Sequence, residues 1–318
     1  MMRVTEANTA PVAKPGKTSP WWSVLGGVLS LGLVATIVLQ LGGATSDVLR
    51  TISQLPPLVW PAMVLLYLVQ PVFDFALFRR LWNVPLAGFE ALLRKTVINE
   101  VVLGYSGEAY LYVWARRSVG GVVAPFAAIK DVNIISGLLG NLLTLALAAI
   151  SATQLRDLDF VQRVGPALWS GLIPVAISIG LLVFGRQVFS LRLSQLIYVG
   201  VVHGLRLIMA TTLLVLIWRL ALPGVAPGLW LVLLAIRYLV SRIPLISNKD
   251  LLFSNLMLLL LGAHSSVAVL LAALALVTLG LHLTVIVGLG AIDLIRGLWR
   301  ASAPRGPIVA TEAGGVRE

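Results

Sequence analysis

Cysteine is absent from this chain, which removes disulfides, thiol catalysis and cysteine-ligated metals together. Charge is scarce as well. Asp, Glu, Lys and Arg make up 12% of residues, against about a quarter in an ordinary soluble domain. Acidic residues are the rarer sign, 13 against 24 basic ones, which leaves a formal net charge of +11. There are 3 histidines, His203, His264 and His282, at spacings that make no paired-histidine metal motif. No phosphate loop occurs. Ser106 lies in Gly-Tyr-Ser-Gly, which shares only fragments with the nucleophile elbow of hydrolases and has no strand before it. The expectation is therefore no metal, no cofactor and no catalytic residue, and a chain that leans away from being an enzyme.

What fills the sequence instead is apolar: 58% hydrophobic residues and a mean hydropathy of +0.96. A soluble fold cannot hide that much apolar surface, whereas runs of roughly 20 apolar residues suit a bilayer. The fold class expected is all-α, a polytopic membrane helix bundle of about eight spans with two interrupted or re-entrant segments. Spans are expected over residues 22–41, 58–78, 87–114 with an interruption, 126–150, 166–184, 196–220, 229–246 and 266–289. The piece 251–262 is too short to cross and reads as a half-helix. Residues 1–20 and 300–318 read as disordered cytoplasmic tails around a single transmembrane domain, 21–299. The first apolar run is long enough to be an uncleaved span rather than a signal peptide.

The basic residues sit at the ends of apolar runs, in pairs such as Arg79-Arg80, Arg94-Lys95 and Arg116-Arg117. That is the distribution of topology signals and lipid contacts, not of a surface that tracks nucleic acid. With eight crossings both termini share a side. The positive-inside rule places Lys14, Lys17, the 79–95 stretch, Arg156, Arg163, Arg219 and the C-terminal arginines in the cytoplasm. Arg50, Arg116, Arg117, Arg186 and Arg192 fall opposite. The localisation expected is a bacterial-type inner (plasma) membrane.

Ionisable side chains inside spans are costly unless they face protein or water, so each is a candidate site. The richest stretch is 97–117, where Glu100, Gly104, Ser106, Gly107 and Glu108 interrupt an apolar run. A helix broken at membrane depth exposes backbone groups and marks substrate sites in transporters. The alternative is a plain loop between short helices, with Tyr110, Tyr112 and Trp114 as an interfacial belt. A second interruption spans 237–255, with Arg237, Arg242, Pro244, Asn248, Lys249 and Asp250. One break in each half is the pattern of a repeat-built carrier. In the 126–150 span, Lys130 and Asp131 are adjacent and point apart, which makes Asp131 the better candidate. Arg206 and Arg237 are suited to holding a lipid phosphate bidentately, or else they neutralise carboxylates within the bundle.

Gly104-Tyr-Ser-Gly-Glu108 on a broken third span, then Arg116-Arg117 and Lys130-Asp131, resembles the membrane domain of lysylphosphatidylglycerol synthases and their stand-alone flippase-like relatives. Ile243-Pro244 with Ser247 resembles the family's later proline-containing break. There this chain carries Asn248-Lys249-Asp250 where the family has a glycine-rich turn and a glutamate. The carry-over rests on Gly107 and Glu108. The resemblance implies lipid movement or headgroup handling without an aminoacyl-transfer domain.

The function expected is a lipid or glycolipid translocase. Its intramembrane site for an anionic headgroup would be formed by Glu100, Gly104, Ser106, Gly107, Glu108, Asp131, Arg206 and Arg237. Its partners would be membrane lipids and a lipid-modifying enzyme, and no nucleic acid. The alternatives are an integral membrane transferase using Glu108 or Asp131 as general base, and a non-catalytic scaffold.

Overall fold

The computed structural model describes residues 45–119, 125–155, 189–243 and 246–302, with the single positions 35 and 180. The spans expected over 22–41 and 166–184, and Pro244, lie outside the described residues. Within the described residues every regular element is a helix. These are α1 (Thr45–Ser53), α2 (Val59–Trp82), α3 (Gly88–Val101), α4 (Ser106–Ser118), α5 (Pro125–Leu155), α6 (Leu193–Ala221), α7 (Pro227–Ser241), α8 (Lys249–Leu261) and α9 (Ser266–Ser302). Four stretches are long and apolar enough to cross a membrane: Val59–Trp82, Pro125–Ser151, Leu193–Ala221 and Ser266–Arg296. The shortest, α2, has 24 residues and so extends about 36 Å, enough for a hydrocarbon core of about 30 Å.

The other helices of the bundle are half that length. α3 has 14 residues, α4 13, α7 15 and α8 13, each about 20 Å long and unable to cross alone. α4 instead runs back along α3. A Cβ on Gly88 would meet Trp114 Cη2 at 2.8 Å, and one on Gly107 would meet the Lys95 carbonyl and, at 2.7 Å, Asn99 Oδ1. The 87–114 segment is thus a hairpin that returns to the face it came from, where a single interrupted crossing was expected. The reversal moves Arg116 and Arg117 to the same face as Arg79 and Arg80, not the opposite one.

The turn is made by Tyr105, held at φ 72°, ψ −4°. This left-handed conformation costs a residue with a Cβ roughly 1–2 kcal/mol. Local bonds hold it. The Ser106 hydroxyl donates to the Leu103 carbonyl at 2.5 Å, and the Gly107 N–H donates to Asn99 Oδ1 at 2.6 Å. The second of these gives one of α4's unpaired first-turn N–H groups a partner. α8 is likewise preceded by a left-handed residue, Asn248 at φ 51°, ψ 52°. Arg237, a turn from the end of α7, reaches Asp250 at the start of α8 at 2.6 Å.

Two apolar clusters fix the ends of the bundle. One joins Leu77 and Phe78 of α2 to Leu92, Leu111, Ile129 and Val199, and so contains the root of the α3–α4 hairpin. The other joins Val59 and Met63 of α2 to Trp218, Trp230, Phe253 and Leu270, and contains the root of α7–α8. The two hairpins therefore enter from opposite faces, α3–α4 from the first and α7–α8 from the second.

Candidate functional site

α2 and α6 both run from one cluster to the other, and their middle residues are freed from apolar packing. Tyr67, Gln70 and Asp74 of α2, and His203 and Arg206 of α6, line a cavity of about 390 Å³. Its volume lies within the range of small-ligand sites. The hairpin breaks supply the rest of the wall: Asn99, Glu100, Gly104, Tyr105 and Glu108 from one, Arg237, Ser241, Arg242, Lys249 and Asp250 from the other. α5 contributes Asn133, Ser136 and Gly137, and α9 contributes Thr278 and His282. The breaks touch directly. The Asn248 N–H donates to the Glu100 carbonyl at 2.8 Å. That carbonyl lies in the last turn of α3, where no intrahelical donor remains.

Charge is distributed unevenly around this space. Lys95 donates to Asp74 Oδ2 at 2.7 Å and lies 3.5 Å from Glu108 Oε1, and Arg237 is held by Asp250. Among the described residues Arg206, Arg242 and Lys249 form no ion pair with a carboxylate. Arg206 Nη2 donates to Ser136 Oγ at 2.9 Å, Arg242 donates to Ser241 Oγ, and Lys249 Nζ donates to the Ser241 carbonyl at 2.8 Å. On the acidic side only Glu100, of the lining carboxylates, lacks an ion pair. Several polar atoms at the wall are buried without a partner: both ring nitrogens of His203, which is 2% exposed, Nε of Arg206, and Oε2 of Glu108. The cavity thus holds more unpaired positive than negative charge, in surroundings that screen it weakly.

Of the residues singled out in the sequence, Glu100, Gly104, Glu108, Arg206 and Arg237 line the cavity. Ser106 and Gly107 lie behind it, holding the turn. Asp131 is elsewhere. It is fully buried near the first face, where Oδ2 accepts the N–H groups of Ser190 and Leu191 at 2.7 Å each and ties α5 to the start of α6. Arg94-Lys95 read as one topology pair, but the structure separates the two residues. Arg94 stays at the face, bound to Glu90 and Asp293, while Lys95, about 100° further round the helix, enters the interior. Asp74, a carboxylate in an apolar span that Arg206 or Arg237 could have neutralised, is instead paired by Lys95. Arg242 and Lys249 gave no signal of their own, because turn residues at a break look alike whether they face water or a cavity. Among the described residues no group of three or more His, Asp or Glu could hold a metal ion.

No family model matches the chain, and neither a curated protein nor a solved structure does.

Proposed function

We propose that the chain is a membrane-embedded translocase for a lipid or glycolipid with an anionic headgroup, and that the cavity between the two hairpin breaks is its headgroup site. The observation that carries this reading is the meeting of two oppositely rooted broken hairpins at a polar cavity in the middle of an apolar bundle. Discontinuous helices at the midplane are the device by which carriers expose backbone and charge to a substrate without exposing them to lipid. Arg206, Arg242 and Lys249 would hold the headgroup, and Glu100, the carboxylate without an ion pair, would adjust the charge of the site. The face bearing Arg79, Arg80, Arg116, Arg117, Arg192 and Arg296 would be cytoplasmic by the positive-inside rule, since Arg50 and Arg219 lie on the other.

The transferase alternative loses support from the geometry around its two candidate bases. Asp131 is engaged by backbone donors away from the cavity. Glu108 shares Lys95 with Asp74 and accepts from Asn99 at 3.2 Å.

The test is movement of fluorescent, anionic phospholipid between leaflets of liposomes containing the purified chain, compared with Glu100→Gln and Arg206→Gln. Movement by the unsubstituted protein, lost in either variant while its melting temperature is kept, is the expected result. Equal rates in all three and in empty liposomes would sink the reading.

A further inference from the structure

Ser136 and Gly140 are one turn apart on the same face of α5, about 6 Å along the helix axis. Each carries a guanidinium. Arg206 is bound to Ser136 Oγ, and Arg242 lies flat against Gly140, where a Cβ would meet Nη2 at 2.7 Å and Cζ at 2.8 Å. Gly137, between them, lines the cavity and has open space where a Cβ would stand. Neither arginine has a carboxylate partner among the described residues. Arg206 Nε is buried with nothing to bond, and so are both nitrogens of the neighbouring His203, one turn away on α6. Two planar forks lying on one smooth helix face, with donors to spare, form an arrangement shaped for an oxyanion.

We infer that Arg206 and Arg242 form a two-guanidinium clamp for a terminal phosphate, so that the substrate class is a lipid ending in a phosphomonoester. The inference rests on the translocase reading and narrows it. A phosphodiester offers two unesterified oxygens and one negative charge, which a single arginine fork satisfies. A phosphomonoester offers three oxygens and a charge of about −1.5 to −2 near neutral pH, which leaves acceptors for the second fork. Lys249, whose Nζ binds the Ser241 carbonyl beside Arg242, lines the cavity as a further cation. Glycine at position 140 is part of the specificity, because any side chain there would lift Arg242 off α5.

The experiment is a thermal-shift titration of the purified full chain in detergent with dioctanoyl phosphatidic acid, dioctanoyl phosphatidylglycerol and sodium phosphate. It is repeated on Arg206→Lys, Arg242→Lys and Gly140→Ala variants whose ligand-free melting temperatures match the unsubstituted protein. The expected result is that phosphatidic acid binds about ten-fold tighter than phosphatidylglycerol, as one extra bidentate contact implies. Lysine at either position, and alanine at 140, should abolish that preference while leaving weak binding of both lipids. Equal affinity for the two lipids, with both depending on the arginines, would overturn the monoester inference and leave the anionic-headgroup site standing. Lipid binding indifferent to all three substitutions would overturn both. Sodium phosphate binding as tightly as phosphatidic acid would uphold the clamp and overturn the lipid as its source.

Discussion

The Lys95–Asp74 pair offers the sharpest test of whether the interior is arranged as described. Both residues are buried, at 4% and 2% exposure, and the pair joins α3 to α2 across the wall of the cavity. Lys95 also lies 3.5 Å from Glu108, so one ammonium serves two carboxylates. Removing one partner of a buried pair typically costs about 3–5 kcal/mol, because the other is left buried and uncompensated. Lys95→Met strands both Asp74 and Glu108, and should fall at the upper end of that range. Asp74→Asn leaves Lys95 with Glu108 and should cost distinctly less. The double variant Asp74→Asn, Lys95→Met removes the stranded charge at position 74 and should recover much of the loss. Read as melting temperature in detergent, the lysine substitution should lower the transition by on the order of 5–10 °C. If the two single variants melt alike, or if the double variant loses the sum of the singles, Lys95 is not shared in the way the distances indicate.

Two further outcomes follow from contacts outside the cavity. Asp131→Asn should lower the melting temperature, since a carboxylate accepting two backbone N–H groups is weakened, while leaving phosphatidic acid affinity unchanged; an affinity loss at unchanged stability would make Asp131 a site residue after all. Glu90, near the first face, would be raised by its partial burial, but the hydrogen bonds and charges of Arg94 and Arg296 outweigh this and hold its carboxyl below the ordinary 4.5. A lowered folded pKa stabilises above the unfolded value and is lost as pH falls through the folded one. The stability difference between the unsubstituted protein and Glu90→Gln should therefore be constant from pH 8 down to about 4.5 and shrink on further acidification.

The long apolar helices were legible because their signal is compositional: a run such as 266–289 has no other solution in water or lipid. The break at 102–105 was legible too, as a polar cluster inside an apolar run, but its geometry was not. Tyr105, and neither Gly104 nor Gly107, supplies the left-handed backbone there, and Gly107 is required by the closeness of the Lys95 carbonyl and Asn99. Whether a broken segment continues across or doubles back is decided by packing between its halves, here Gly88 on Trp114, a contact between residues far apart in sequence. The same limit applies to the site. Glu100, Glu108, Arg206 and Arg237 stand out as charges in apolar context, but pairing is a property of three dimensions. Asp131, equally conspicuous, turns out to anchor a chain entry. Arg242, inconspicuous among turn residues, faces the cavity.

The bond between the Asn248 N–H and the Glu100 carbonyl constrains how such a cavity can exchange its contents. It joins the tip of one hairpin to the other, and each hairpin is rooted in the apolar cluster of its own face. Opening toward the first face means moving α3–α4, whose outer end is fastened to α9 by Arg94 with Asp293 and by Glu90 with Arg296. Opening toward the second means moving α7–α8, whose corresponding fastening, Arg237 with Asp250, lies within the hairpin itself and would travel with it. For a translocase the two openings are therefore unequal. Access from the first face requires surface ion pairs to break, each worth little in water and less at high salt, while access from the second is resisted chiefly by apolar packing around Trp218 and Trp230. Raising ionic strength should thus ease loading from the face with the clustered arginines more than from the other.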